Sequence, residues 1–301
     1  MTGTRVPGEG PAPVWPARDV RIRGLTTRVR ETGGAPAVAY VHGLGGSALD
    51  WTDLGELLAP DLPGAALDLP GFGGSAPLRR YSLAALADHV AAWLARLGPV
   101  HLVGNSLGGA VTVLVAAEHP ELVRTLTLIS PAMPFLRPWQ SDLGRLVPLL
   151  WLPGVARVLA SSMARLGPDG LTRQTIETCV TDPGVVPAER IAAFTDEAER
   201  WLASPWHAEA YVRTFRALLA AYLRPGAGSQ WARAARIAAP TLVVWGREDR
   251  LVPSRLASRL AATVPDCRLL VLDGVGHVAQ VERPLAVADA IRALVDEHRA
   301  G

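Results

Sequence analysis

The chain has 301 residues, 49% of them hydrophobic, with 29 Gly and 25 Pro. That glycine and proline share has no collagen-like period and falls short of low complexity, and the apolar share is too high for a disordered chain. Thirty basic residues, all Arg, against 28 acidic ones leave a formal charge of +2 with no basic run, which gives no reason to expect a nucleic-acid or anionic-membrane partner.

Residues 1–20 mix Gly, Pro, Asp and Glu where a secretory leader has a basic start and an apolar run, so no leader is expected. Residues 37–41 predict a short buried strand that ends in His42-Gly43-Leu44-Gly45-Gly46. Gly64–Leu67 predicts another, followed by the turn-rich Asp68-Leu69-Pro70-Gly71-Phe72-Gly73-Gly74-Ser75. Leu83, Leu86, Val90, Trp93, Leu94 and Leu97 recur near 3.6 spacing and predict a helix over 82–97, with Ser82 as its N-cap. A strand over 100–103, a helix over 107–118 and a strand over 125–129 follow. The longest uncharged stretch, 97–117, is long enough to span a bilayer. Pro99, Gly104, Asn105, Gly108 and Gly109 divide it into strand, turn and helix, so no integral membrane segment is expected.

From residue 132 to about 235 the pattern is helical, with several prolines and no β-branched runs. Alternation then resumes with a strand over 241–245, a helix over 254–263, a strand over 268–272 and a helix over 284–298. Alternating short strands and helices imply an α/β fold whose parallel sheet is covered on both faces. The length suggests two units, and the pattern says how they join: residues 20–131 and 236–301 form one sheet domain, interrupted by a helical insertion over 132–235. Cys179 and Cys267 stand 88 positions apart in no CxxC or Cys/His cluster. Neither a structural zinc site nor a disulfide framework is expected, and a cytoplasmic setting is the default.

The sharpest motif is Gly104-Asn105-Ser106-Leu107-Gly108, a G-x-S-x-G between a predicted strand and a predicted helix. A serine on such a tight turn is held in strained backbone with its hydroxyl above the sheet edge, and flanking side chains would collide with the turn. A serine hydroxyl needs a base, and the base needs an orienting group. Of the seven histidines, His89, His119 and His298 fall in predicted helices, where solvated or capping roles are expected. His101 lies in the strand before the serine and His207 in the insertion. His277 follows the strand over 268–272 in Asp273-Gly274-Val275-Gly276-His277, and so leaves the sheet at its carboxyl edge, as Ser106 does; ligands bind at that edge in open parallel sheets. Asp249 in Gly246-Arg247-Glu248-Asp249 leaves an intervening strand at the same edge and is the candidate acid, with Glu248 beside it as the alternative. Ile129-Ser130-Pro131 offers no competing carboxylate. An oxyanion needs preorganised donors: the backbone N–H of Leu107 at a helix N-terminus, and the N–H of Leu44 in the glycine-rich loop.

Taken together these motifs resemble the α/β-hydrolase superfamily over nearly the whole chain. The resemblance rests on His42-Gly43-Leu44-Gly45, the Asp68–Ser75 loop, Gly104-Asn105-Ser106-Leu107-Gly108-Gly109, Gly246-Arg247-Glu248-Asp249 with Pro253, and Gly276-His277. It implies an α/β-hydrolase fold with a mostly parallel eight-stranded sheet flanked by helices, an inserted helical cap after the sixth strand, and no cofactor or metal. Relatives that open epoxides or displace halide carry a carboxylate at the nucleophile position, so Ser106 favours acyl transfer to water, as in a carboxylic ester hydrolase. Gly276-His277-Val278-Ala279-Gln280-Val281-Glu282 also resembles the meta-cleavage-product hydrolases, which split carbon–carbon bonds. Those typically carry an aromatic residue after the histidine, where this chain has Val278. A ligand-binding protein without turnover is a third reading.

Trp139, Trp151, Trp201, Trp206 and Trp231 lie in the insertion. They either line a pocket for a small apolar acyl or aryl substrate, with Trp139, Trp206 and Val278 as candidates, or pack a small lid onto the sheet. Residues 146–155, with Pro148 and Pro153 among Leu and Trp, could instead form a partly exposed patch.

Overall fold

The computed structural model describes residues 12–135 and 149–298. A hairpin that periodicity did not predict opens the sheet: β1 (Ala17–Ile22) pairs antiparallel with β2 (Leu25–Glu31). Its two-residue turn, Arg23-Gly24, has φ of 49° and 80°, the mirror-turn geometry that suits the twist of paired strands.

Strands β3 (Val38–Val41), β4 (Gly64–Leu67), β5 (Val100–Asn105), β6 (Val123–Ile129), β7 (Thr241–Gly246) and β8 (Cys267–Leu272) complete an eight-stranded sheet of order β1-β2-β4-β3-β5-β6-β7-β8. β2 is antiparallel to both neighbours, and every pairing from β4 through β8 is parallel. The sheet is thus mostly parallel, as expected. Each residue of β3, β4, β5 and β7 is buried, as continuous apolar strands covered on both faces must be.

The helices are α1 (Thr52–Leu58), α2 (Leu83–Leu97), α3 (Leu107–Glu118), α4 (Val155–Cys179), α5 (Ala188–Leu202), α6 (His207–Tyr222), α7 (Gln230–Ala234), α8 (Leu256–Thr263), α9 (Ala279–Glu282) and α10 (Pro284–Glu297). Side chains of α2, α3 and α8 join one apolar core, and those of α1 and α10 join the core on the opposite face. Ser82 Oγ accepts the Ala85 N–H at 3.0 Å, capping α2. Observed ends differ from the sequence pattern by one or two residues. Ser254, for instance, stays outside α8 because its hydroxyl donates to the Arg247 carbonyl.

His89 corrects one expectation. Although it lies on helix α2, it is only 2% exposed; Thr27 on β2 reaches its Nε2 at 2.9 Å. The unforeseen hairpin is what covers it. Burial holds this imidazole down near a pKa of about 4. His119 and His298 do sit at helix C-termini, partly exposed.

Helices α4 to α7 lie between β6 and β7 in sequence, and α4 kinks at Gly167, before Pro168. α5 is fastened to the sheet domain by buried charge. Arg190, 2% exposed, makes a bidentate pair with Asp53 on α1 at 2.8 and 2.7 Å and also donates to the Ala12 carbonyl. Glu197 accepts from Arg30 on β2 at 3.3 Å and from Arg200 at 2.8 Å. Removing one partner of a buried pair strands the other charge without water. Asp53→Ala is therefore expected to cost about 3 kcal/mol, read as a lowered urea midpoint with an unchanged slope; a midpoint equal to wild type would contradict it.

Candidate active site

The site starts from a steric constraint. Ser106 stands between β5 and α3 with φ 53° and ψ −115°, a region costly for any residue with a Cβ. The main chain around it pins that conformation. Its N–H donates to the Ile129 carbonyl at 3.1 Å, and its own carbonyl accepts from Ala110 and Ala132 N–H, both at 2.9 Å. Helix α3 then crosses the end of β3 so closely that a Cβ at position 108 would lie 2.1 Å from the Val41 carbonyl oxygen. At position 104 a Cβ would meet the Gly108 carbonyl at 2.7 Å. Only glycine satisfies both.

The loop after β3 packs onto this turn. A Cβ built at Gly43 would lie 3.2 Å from the Ser106 Cβ, so Leu44 follows a residue in contact with the serine. Leu107 opens α3 and presents one of the unpaired first-turn N–H groups. His42 holds the loop in place: its Nε2 accepts the Leu69 N–H at 2.8 Å, which leaves Nδ1 as donor to the Gly43 carbonyl at 2.7 Å. That arrangement requires a neutral ring, and burial lowers the His42 pKa to about 4.

Asp68 closes the same region from below, accepting from Ala48 N–H at 2.7 Å and Gly74 N–H at 2.8 Å. The turn-rich Asp68–Ser75 stretch is thus a clamp on the loop that carries Leu44. Asp50 lies against Gly46, within reach of the Ser47 N–H. Burial, with Asp68 and Glu197 nearby, raises the Asp50 carboxyl to about 7, and burial raises Asp68 to about 6.

His277 and Asp249 meet. His277 Nδ1 lies 2.8 Å from Asp249 Oδ2; the imidazole is 5% exposed and the carboxylate fully buried. Asp249 Oδ1 accepts the Leu251 and Val252 N–H groups, both at 2.9 Å. Glu248 is directed elsewhere: it is exposed and accepts the Val275 N–H. Asn105 joins the His277 loop to the Ser106 turn, its Nδ2 donating to the carbonyls of Ile129 and His277, each at 3.1 Å. Ser106, His277, Asp249, Leu44 and Leu107 are therefore on adjoining loops at the carboxyl edge of the sheet. Asn105 was visible in the motif as a spacer; nothing in its position announced the bridging role.

The pocket candidates separate. Trp139 lies outside the described residues. Val278 packs with Ile176, Val180 and Val186 of the helical segment. Trp206 is half-buried, and its Nε1 is buried with no hydrogen-bond partner. Trp201 and Trp231 serve packing: Trp201 donates to the Gly71 carbonyl and stacks on Phe72, and Trp231 donates to the Pro134 carbonyl. Trp151 is 58% exposed, with Leu149 and Leu152 also exposed beside it. Tyr211 on α6 overlies the loop after β3, 3.3 Å from where a Gly45 Cβ would stand. Among the described residues no cluster of three or more His, Cys, Asp or Glu side chains is placed to hold a metal, and no helix is long and apolar enough to cross a membrane.

A family model described as "alpha/beta hydrolase fold" matches residues 36–284. Over 284 residues the chain is 29% identical to the dihydrolipoyllysine-residue acetyltransferase component of an acetoin cleaving system from Cupriavidus necator, covering 93% of this chain and 68% of that protein. It is 27% identical to a monoacylglycerol lipase of Xenopus laevis, covering 90% and 85%. It is also 29% identical to a 2-hydroxy-6-oxononadienedioate/2-hydroxy-6-oxononatrienedioate hydrolase of Pseudomonas putida, covering 83% and 84%. Among solved structures, a bacterial membrane phospholipase A superposes with a TM-score of 0.77 at 26% identity, over 95% of this chain and 87% of that one.

The raised carboxyl of Asp50 has a signed consequence. The native group keeps its proton up to about pH 7, whereas the unfolded one releases it near 3.8. Native protein binds more protons across that window, so this group's contribution is lost as pH rises through it. Asp50→Asn keeps an acceptor for Ser47 and cannot ionise. Its melting temperature relative to wild type is expected to be higher at pH 8 than at pH 5 in paired thermal scans; a difference independent of pH would rule this out.

Proposed function

The chain belongs to the α/β-hydrolase fold family, and on that premise we propose that it is a serine hydrolase cleaving a carboxylic ester, or a related acyl bond, of a small apolar molecule. The observation that carries the reading is the 2.8 Å contact between His277 Nδ1 and the buried Asp249 carboxylate, on the loop that Asn105 ties to the Ser106 turn. With Nδ1–H directed to Asp249, Nε2 is the basic nitrogen of His277. It takes the Ser106 hydroxyl proton as Oγ attacks the substrate carbonyl, and Asp249 stabilises the imidazolium. Oxygen charge in the tetrahedral intermediate is received by the Leu44 and Leu107 N–H groups. The imidazolium then protonates the leaving alcohol, the acyl group stays on Oγ, and a water activated by His277 releases it as the carboxylate.

The helical segment over 132–235 acts in this reading as the cap, with Trp206 and Tyr211 facing the substrate side. The two free thiols, Cys179 and Cys267, fit the reducing setting of the cytoplasm. Resemblance to a lipase and a phospholipase favours esters. Carbon–carbon hydrolysis is the second reading, favoured by the Pseudomonas putida hydrolase and by the run from Gly276 to Glu282.

One parallel assay separates them: turnover of p-nitrophenyl esters of graded chain length and of a ring-fission dienone. We expect ester turnover, with Ser106→Ala lowering kcat by about 10⁴–10⁶-fold and Asp249→Asn by about 10⁴-fold. Near wild-type turnover in Ser106→Ala would remove the serine from the mechanism. Dienone cleavage without ester cleavage would install the second reading.

A further inference from the structure

Both catalytic loops of the proposed triad are tied to a single short stretch of the helical segment, the C-terminal end of α4 and the turn after it. The His277 N–H donates to the Cys179 carbonyl at 2.7 Å. Arg250, next to Asp249, donates to the carbonyls of Glu177 and Thr178, the latter at 3.2 Å. A helix C-terminus leaves its last carbonyls unpaired, so these are bonds the helix itself cannot make.

Glu282 completes the arrangement. It ends α9, five residues after His277, and is 4% exposed. One carboxylate oxygen accepts the Gly276 N–H at 2.7 Å and the other accepts the Thr181 N–H at 2.9 Å. Its two oxygens therefore span from the residue before the base to the turn after α4. The fit is close, since a Cβ at Gly276 would lie 2.5 Å from the Cys179 carbonyl and 3.1 Å from Glu282 Oε1. The Asn105 amide fixes the same loop from its other side, at the His277 carbonyl.

We propose that Glu282 is a positioning residue for His277: its carboxylate straps the base loop to the Cys179–Thr181 turn, so that imidazole and helical segment are held as one unit. This rests on the triad reading above. The reasoning is geometric. The His277 side chain contacts Asp249 at one nitrogen only, so its aim toward Ser106 is set by where the loop backbone stands. Next to the imidazole that backbone is bonded to Cys179, to Asn105 and, through Gly276, to Glu282, with Glu248 holding Val275 further back. A carboxylate suits the two inward-pointing N–H groups because both its oxygens accept and neither donates. In Glu282→Gln one acceptor becomes an NH₂ that opposes an N–H, with hardly any change in volume.

The test uses the full-length protein and two readouts of Ser106. A fluorophosphonate probe gives the rate of phosphonylation and, at its end point, the number of competent sites per chain. A p-nitrophenyl ester gives kcat and KM. Glu282→Gln is expected to slow phosphonylation and kcat together by about tenfold to a hundredfold, the scale of a misplacement near 1 Å. KM should stay within about threefold, the labelling end point should remain one per chain, and Glu282→Asp should recover part of the rate. Two outcomes overturn the inference. One is wild-type rates in Glu282→Gln. The other is a lowered end point with normal rates on the sites that remain, which is a folding role and not positioning. Absence of labelling in the wild-type protein defeats the triad reading itself, whereas a labelled wild type with an unaffected Glu282→Gln defeats only the strap.

Discussion

The site depends on one crowded crossing, where the first turn of α3 passes the end of β3. With Gly108 against the Val41 carbonyl, the helix comes as close as backbone atoms allow. Two consequences follow from that contact. The chain between β5 and α3 has to turn at a single residue, which puts Ser106 at a positive φ costing about 1–3 kcal/mol, and the bonds to Ile129, Ala110 and Ala132 hold it there. The loop leaving β3 has nowhere to go except alongside the N-terminus of the helix. Gly43, which precedes Leu44, and Leu107 are brought against the same serine by sterics.

Holding that loop still is assigned to buried polar groups. His42 is used as a neutral donor and acceptor between Gly43 and Leu69, and Asp68 gathers N–H groups from Ala48 and Gly74. Both are shifted by burial toward their neutral forms. Such groups are costly to desolvate and costlier to leave unpaired, so they define one loop conformation sharply. The proposed oxyanion donor in this loop would need that property, because donors that reorganise during a reaction lose much of their value.

Sequence made the sheet and the chemistry legible to different depths. The G-x-S-x-G turn, the glycine loop and the placement of Ser106, Asp249 and His277 after strand ends were readable because each needs particular residue types at fixed offsets from a strand end. Asp249 was preferred to Glu248 in the sequence although both sit on one turn; in the structure the Asp249 carboxylate meets His277 and that of Glu248 accepts the Val275 N–H. The β1–β2 hairpin escaped because its strands are rich in Arg and its turn is Arg-Gly, not the commoner Asn-Gly. That omission carried over to His89, whose burial depends on Thr27. Asn105 and Glu282 could not be read at all. Their roles are contacts across 172 and 101 positions of chain, and no local pattern encodes a partner so distant. Tryptophan content in the segment after β6 left packing and pocket lining open: Trp201 and Trp231 use their N–H groups to fasten backbone carbonyls, which composition cannot distinguish from lining a pocket.

Those distant contacts also set how the helical segment is held. Arg190 and Glu197 anchor α5 to α1 and β2, and the end of α4 is bonded to both loops that carry Asp249 and His277. At the other end of α4 the side chains of Leu149, Trp151, Leu152 and Val158 are all at least half exposed. Buried polar bonds resist local opening, and exposed apolar side chains contribute little to it. The segment is therefore held to the sheet at several places: at α5 through Arg190, Glu197 and Trp201, at α7 through Gln230, and beside His277 at the end of α4.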